Sequence, residues 1–207
     1  MQDREILYGR SLLFIGAAQF VVFMVVVQLA FPCISSCYNI FTNPISDLGN
    51  TSASPLAMLF NYFIALFGLL LIVGILYTRG VFRKSPIEDI GVASLIVAAL
   101  GAIGVGIVPE NTVLAVHSMF AVIAFLFGGI GVLLVGINDL EQKNSRLFSC
   151  YSIVSGVVPI VLLLASLSGA FQGLAVSGPG FGFGAVERMI VAPILLWVFV
   201  VPFTKRG

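Results

Sequence analysis

The sequence predicts an all-α integral membrane protein, a bundle of six transmembrane helices with both termini on the cytoplasmic side. Three observations carry this expectation. Of the 207 residues, 59% are hydrophobic and only 9% charged, whereas a water-soluble chain devotes about a quarter of its residues to charge. The apolar residues gather into six runs, near 11–32, 56–78, 89–108, 113–137, 148–171 and 183–203. Each is long enough to cross the ~30 Å hydrocarbon layer as a helix that satisfies its own backbone. Finally, nine of the ten basic residues cluster beside alternate ends of those runs.

The elements follow in order. "MQDREILYGR" precedes the first run and reads as the start of a retained helix, because "QLAFPC" is a poor signal-peptide cleavage site. The breaks "CISSCYNIFTNPISDLGNTSASP", "RGVFRKSPIED", "PENT", "NDLEQKNSRL" and "QGLAVSGPGFG" supply turn-formers and charges. So few residues join the third and fourth runs that these two form an antiparallel hairpin. Ala98, Ala102 and Gly106 repeat at small-xxx-small spacing, and "FGGIG" adds small residues at 127–131. Such faces let helices approach closely within one bundle. Pro159 and Pro193 are expected to kink their helices. No polar stretch is long enough to build a second core, so residues 1–207 form a single membrane domain.

Orientation comes from the cations. Arg4 and Arg10 precede the first run, Arg79, Arg83 and Lys84 follow the second, Lys143 and Arg146 follow the fourth, and Lys205 and Arg206 close the chain. The loops after the first, third and fifth runs carry no Lys or Arg. The positive-inside rule makes those three loops external and predicts a cell-membrane protein. A formal net charge of +1 excludes nucleic acid held through phosphate contacts.

With that orientation, polar residues distant in sequence share one depth. Asp47 lies in the first outer loop, and Glu110 and Asn111 lie in the short outer turn. His117, the single histidine, falls roughly 6–8 Å below the surface. Glu187 and Arg188 enter the last run at similar depth, and Asn61 sits near the head of the second. The inner half is expected to hold nothing comparable. Ionisable groups in spans are costly, face the bundle interior and usually pair, so this set is the candidate site. Arg188 is expected to pair with Asp47 or Glu110. His117 reads either as a bundle hydrogen-bonding group or as a general acid or base oriented by a carboxylate. No HExxH, paired His or Cys-rich spacing supports a metal, and neither Ser46 nor Ser118 stands in a nucleophile-elbow pattern. No cofactor is identified.

Cys33 and Cys37 share the outer loop in "CISSC". The pair reads as a disulfide stapling the loop that presents Asp47, with two free thiols or ligands as the alternative. Cys150 is expected to be a buried apolar residue. "NTS" at 50–52 is a glycosylation sequon on the outer side. The Gly-rich "SGPGFGFG" at 177–184 lacks a phosphate loop's Lys and reads as an outer entry to the last helix, with Phe181 and Phe183 near the interface.

Three stretches taken together, "ISDLGNTSASPLAMLFNYFIALFG", "GIVPENTVLAVHSMFAVIAF" and "GAVERMIVAPILLW", resemble the DUF998 family of prokaryotic, notably archaeal, six-helix membrane proteins. The SDLG then Pro then FN pattern, the G-x-x-P before an inward His, and the Glu-Arg pair opening the last helix carry the resemblance. It implies that Asp47, Asn61, His117, Glu187 and Arg188 occupy the family's motif positions, and it implies no particular activity.

The resulting expectation is an outer-leaflet polar site that binds or hydrolyses a membrane lipid or its head group. His117, Asp47 and Glu187 are its catalytic candidates, and Arg188, Asn61 and Glu110 its binding candidates, with Arg188 holding an anionic group. The rival expectation is a non-catalytic subunit or scaffold among other membrane subunits, with a structural polar cluster. A channel or transporter fits least, for want of polar residues at the midplane.

Overall fold

The computed structural model describes residues 2–33, 37–80, 85–171 and 182–204. Among them are six long α-helices: α1 (Gln2–Leu29), α2 (Ala57–Thr78), α3 (Pro86–Ile107), α4 (Leu114–Glu141), α5 (Arg146–Leu167) and α6 (Phe183–Thr204). All six are long and apolar enough to span a membrane. A short 3-10 helix, Ile45–Gly49, lies between α1 and α2. Consecutive helices pack side by side and α1 meets α6, so the six close into a ring.

Several boundaries differ from those read in the sequence, each for a local reason. α1 begins well before residue 11 because no helix breaker separates its charged first turns from the apolar run. It ends at Leu29, since Pro32 disfavours helical backbone just before it. α3 begins at Pro86 because Ser85 caps it, its hydroxyl accepting from the Glu88 N–H at 3.1 Å, with the proline at the first helical position. Ser145 likewise caps α5 through the Phe148 N–H. Pro159 and Pro193 lie inside helices that continue through them; the carbonyls of Ser155 and Met189 lose their usual donor.

Small residues set the helix spacing. A Cβ on Gly101 would stand 2.6 Å from the Ala124 amide nitrogen, and one on Gly129 would stand 3.0 Å from the Gly156 carbonyl. α3, α4 and α5 therefore meet backbone to backbone. Gly128 of "FGGIG" faces Ile194 of α6, while Gly131 faces α3. Trp197, buried in the core, donates its indole N–H to the Ser152 hydroxyl at 2.9 Å.

The end of the bundle opposite the 3-10 helix corrects one expectation. Glu88, Asn138, Asp139 and Ser149 are all buried there. The Asn138 amide donates to the Glu88 carboxylate, Ser85 Oγ donates to Asn138 Oδ1 at 2.6 Å, and the Asn144 amide donates to Asp139 at 2.8 Å. These residues flank the apolar runs, and the capped start of α3 and the long tail of α4 carry them into the bundle. Nearby, Arg79 pairs with Asp89. Cys150, one turn into α5, is exposed rather than buried. The basic residues Arg83, Lys84, Lys205 and Arg206, and Phe181 with most of the Gly-rich segment, lie outside the described residues.

Close backbone approach makes a specific demand. Gly101→Ala is expected to destabilise the bundle by about 1–3 kcal/mol through overpacking. Leu100→Ala, at a neighbouring position that is 53% exposed, is expected to change stability little. Thermal unfolding of the two purified variants in one detergent checks the contrast.

Candidate functional site

The stretch "NPISDLG" folds into a plug. Pro44 sets extended backbone at φ −62° and ψ 159°, and the chain then turns into the 3-10 helix with Ile45, Leu48 and Gly49 buried. This short apolar face sinks into the ring against α1, α2 and α6. A 3-10 helix leaves orphan N–H groups at its start and carbonyls at its end, and here side chains from two helices meet them. The buried carboxylate of Glu187 accepts from the Ile45 N–H. The Asn61 amide, buried on α2, donates to the Gly49 carbonyl at 2.9 Å. A negative group at a helix start also suits the local dipole.

Arg188 braces the chain leading into the plug. One guanidinium nitrogen donates to the carbonyls of Asn43 at 2.9 Å and Gly184 at 3.0 Å, and the other donates to the Tyr38 hydroxyl at 2.7 Å. Its charge also lies 5.6 Å from the Tyr38 ring centroid. The Tyr38 hydroxyl in turn donates to the Pro44 carbonyl at 2.8 Å. Burial pushes the Tyr38 hydroxyl up to about 12, against the pull of Arg188. The expected carboxylate partner of Arg188 is thus replaced by carbonyls and a phenol, because the loop backbone reaches the guanidinium first. In return, the loop caps α6: the Phe41 carbonyl accepts from the N–H groups of Gly182 and Ala185.

Asp47 and Glu110 meet on the face of the plug. Asn43 donates to Asp47 at 2.9 Å, Asn50 donates to Glu110 at 3.2 Å, and the two carboxyl groups are within hydrogen-bonding reach of each other. Burial, then the Glu110 charge, lifts the Asp47 carboxyl above its ordinary range, while Asn43 and Arg188 pull it down. Asn111 ties the same turn to the loop, accepting from the Thr51 N–H at 3.1 Å. Asn50, head of the sequon, also accepts from the Ser52 N–H at 3.0 Å. Cys33 and Cys37 are joined as a disulfide in the segment between α1 and the plug.

Beneath the plug lies a cavity of about 100 Å³. Ser46, His117 and Glu187 line it, and the remaining walls are apolar, among them Phe60, Phe67, Ala98, Ala102 and Leu195. His117 is buried, and its Nδ1 lies 2.7 Å from the Val108 carbonyl. A carbonyl only accepts, so Nδ1 carries the proton, and in the neutral ring Nε2 keeps its lone pair. That nitrogen can accept a hydrogen bond or a proton, and the His117 ring is part of the cavity wall. Among the described residues no three His, Cys, Asp or Glu side chains are arranged to hold a metal ion.

The candidates therefore fall into three sets. His117 and Glu187 share the cavity. Asp47 and Glu110 form a carboxyl pair on the plug. Asn61 and Arg188 are bonded to the plug and its lead-in and are absent from the cavity wall. Sequence reasoning missed Tyr38 and Asn43, which carry no motif, and set Ser46 aside for want of one.

A family model described as protein of unknown function (DUF998) matches residues 14–203. The chain belongs to that family. No curated protein and no solved structure matches it.

Two outcomes are expected. An acid with a raised pKa favours its protonated form in the fold, so the stability that Asp47 contributes is present below its ordinary pKa and is lost as pH rises through the raised one. Asp47→Asn should therefore gain stability relative to wild type as pH rises from about 4 to 7, read from unfolding temperatures at each pH. Arg188→Lys keeps the charge but loses the fork that reaches two carbonyls and a phenol at once. It should cost about 1–3 kcal/mol in the same assay.

Proposed function

We propose that this member of the DUF998 family holds the chain of a membrane lipid inside its bundle, with the lipid's polar end meeting Ser46, His117 and Glu187 at the outer leaflet of the cell membrane. The single observation that carries this reading is the apolar cavity whose one polar end gathers those three residues. An apolar cavity does not hold water well, since water needs two to four polar partners. Left empty, about 100 Å³ corresponds to about 2 kcal/mol of lost packing at ~24 cal/mol per Å³. An apolar chain recovers that energy, and it is the abundant solute around a membrane bundle. The basic residues beside α1, α2 and α4 support an outward-facing plug through the positive-inside rule.

In this reading Glu187 has two tasks. It caps the plug through Ile45 and presents a carboxylate oxygen to the cavity. His117, oriented by the Val108 carbonyl, offers Nε2 to the lipid head and is the residue able to take or return a proton in a hydrolytic step. Asp47 and Glu110 tune the fit of the plug above. A second reading, a non-catalytic subunit of a larger membrane complex, is favoured by the bonding of Asn61, Glu187 and Arg188 to the plug and its lead-in.

Ala102→Phe separates the two readings, because Ala102 lines the cavity from α3 and its side chain makes none of the plug's hydrogen bonds. The expected result is a folded protein from which copurified lipid, measured by mass spectrometry of the extract, is lost. A stoichiometric protein partner retained equally by wild type and variant, with no bound lipid in either, would instead establish the subunit reading.

A further inference from the structure

The polar end of the cavity is built of acceptors. Glu187 contributes a carboxylate, His117 a lone pair at Nε2, and Ser46 a hydroxyl that can give or take one hydrogen bond. Among the described residues no Lys or Arg lines the wall. Arg188, next in chain to Glu187, spends its guanidinium on Asn43, Gly184 and Tyr38. Two more carboxyl groups, Asp47 and Glu110, stand just above, next in chain to Ser46 and on the α3–α4 turn. An anionic head entering here would be buried among carboxyl and imidazole groups with no unspent Lys or Arg in the described lining to answer its charge, which is costly. A head group that donates a hydrogen bond and carries no negative charge would find two acceptors waiting.

The cavity also has a measurable depth. Its wall on α6 runs from Glu187 to Leu195, and its wall on α4 from His117 to Phe125. At about 1.5 Å per residue each descends about 12 Å, close to half of the ~30 Å hydrocarbon layer. Ala98, Ala102, Ala121 and Ala124 face the space and leave it open, yet at about 100 Å³ it has room for the first carbons of one chain and not for a pair.

We infer that the ligand is a single-chain membrane alcohol, its hydroxyl donating to Glu187 or His117 Nε2 and accepting from Ser46, and that the site rejects phosphorylated and carboxylate-headed chains. This rests on the lipid-binding reading above and sharpens it to a head-group class. Arg188, the residue expected from the sequence to hold an anionic head, acts instead as a brace for the chain leading into the plug.

The test uses the full chain in detergent with three probes of one chain length: hexadecanol, hexadecanoic acid and hexadecyl phosphate. Native mass spectrometry reads their retention in competition. Hexadecanol is expected to be retained at least about tenfold more tightly than either anion. Glu187→Gln removes the ionisable group while keeping an acceptor, and it should narrow that gap severalfold. If that variant does not fold, Ser46→Ala on the plug serves in its place; it should weaken hexadecanol severalfold and leave the anions as weak as before. Retention of hexadecyl phosphate or the acid equal to or above the alcohol would overturn the head-group inference alone. Retention of no chain, whatever its head, would overturn the lipid-binding reading along with it.

Discussion

Non-helical backbone buried at the end of an apolar bundle must have its polar groups answered by protein, because little water is there to do it. The contact between the Glu187 carboxylate and the Ile45 N–H meets that constraint for the plug, and much of this end of the molecule depends on it. It fixes where the 3-10 helix starts and therefore how far Ile45 and Leu48 sink between the helices. It also brings Ser46 into the wall of the cavity that His117 lines. Asn61 closes the other end at the Gly49 carbonyl. Without these two clamps, the loop would leave unpaired polar backbone against hydrocarbon.

The residues around the plug divide by what they bond. Arg188 looks like an anion-binding group when seen as a lone cation in an apolar run, yet it serves backbone carbonyls. Bonding them stabilises both the guanidinium and the loop, and it closes the first turn of α6 through the Gly184 carbonyl. The same economy explains the small residue at Gly184, where a Cβ would strike the backbone of Asn43. Asp47 and Glu110 are different in kind. They bring two acids together on a partly buried surface, which costs stability and makes the plug responsive to pH.

The opposite end of the bundle repeats the pattern without a plug. Glu88 and Asn138 join α3 to α4 through a buried hydrogen bond, supported by Ser85. Polar groups thus tie the ring at both ends, while small residues and Trp197 pack its middle. Between them the cavity persists because Ala98 and Ala102 are too small to fill the space that their helix spacing leaves.

The sequence by itself determined the class and count of the helices. Apolar runs longer than the bilayer is thick leave helices as the only open-chain way to satisfy the backbone. It also picked out His117 and Glu187, since ionisable groups in a span are too expensive to be incidental, and set Asp47 and Glu110 of the outer loops at the same depth. What it could not supply was direction. Whether Arg188 points at a carboxylate or a carbonyl depends on the path of the loop, and whether Glu88 lies in a loop or inside the bundle depends on one capping serine. Nor could it show that Ser46 and His117 line one space, because they meet only when α6 clamps the plug across a sequence separation of 142. Those decisions belong to the tertiary structure, where hydrogen-bond satisfaction between distant segments chooses among placements that local pattern leaves equal.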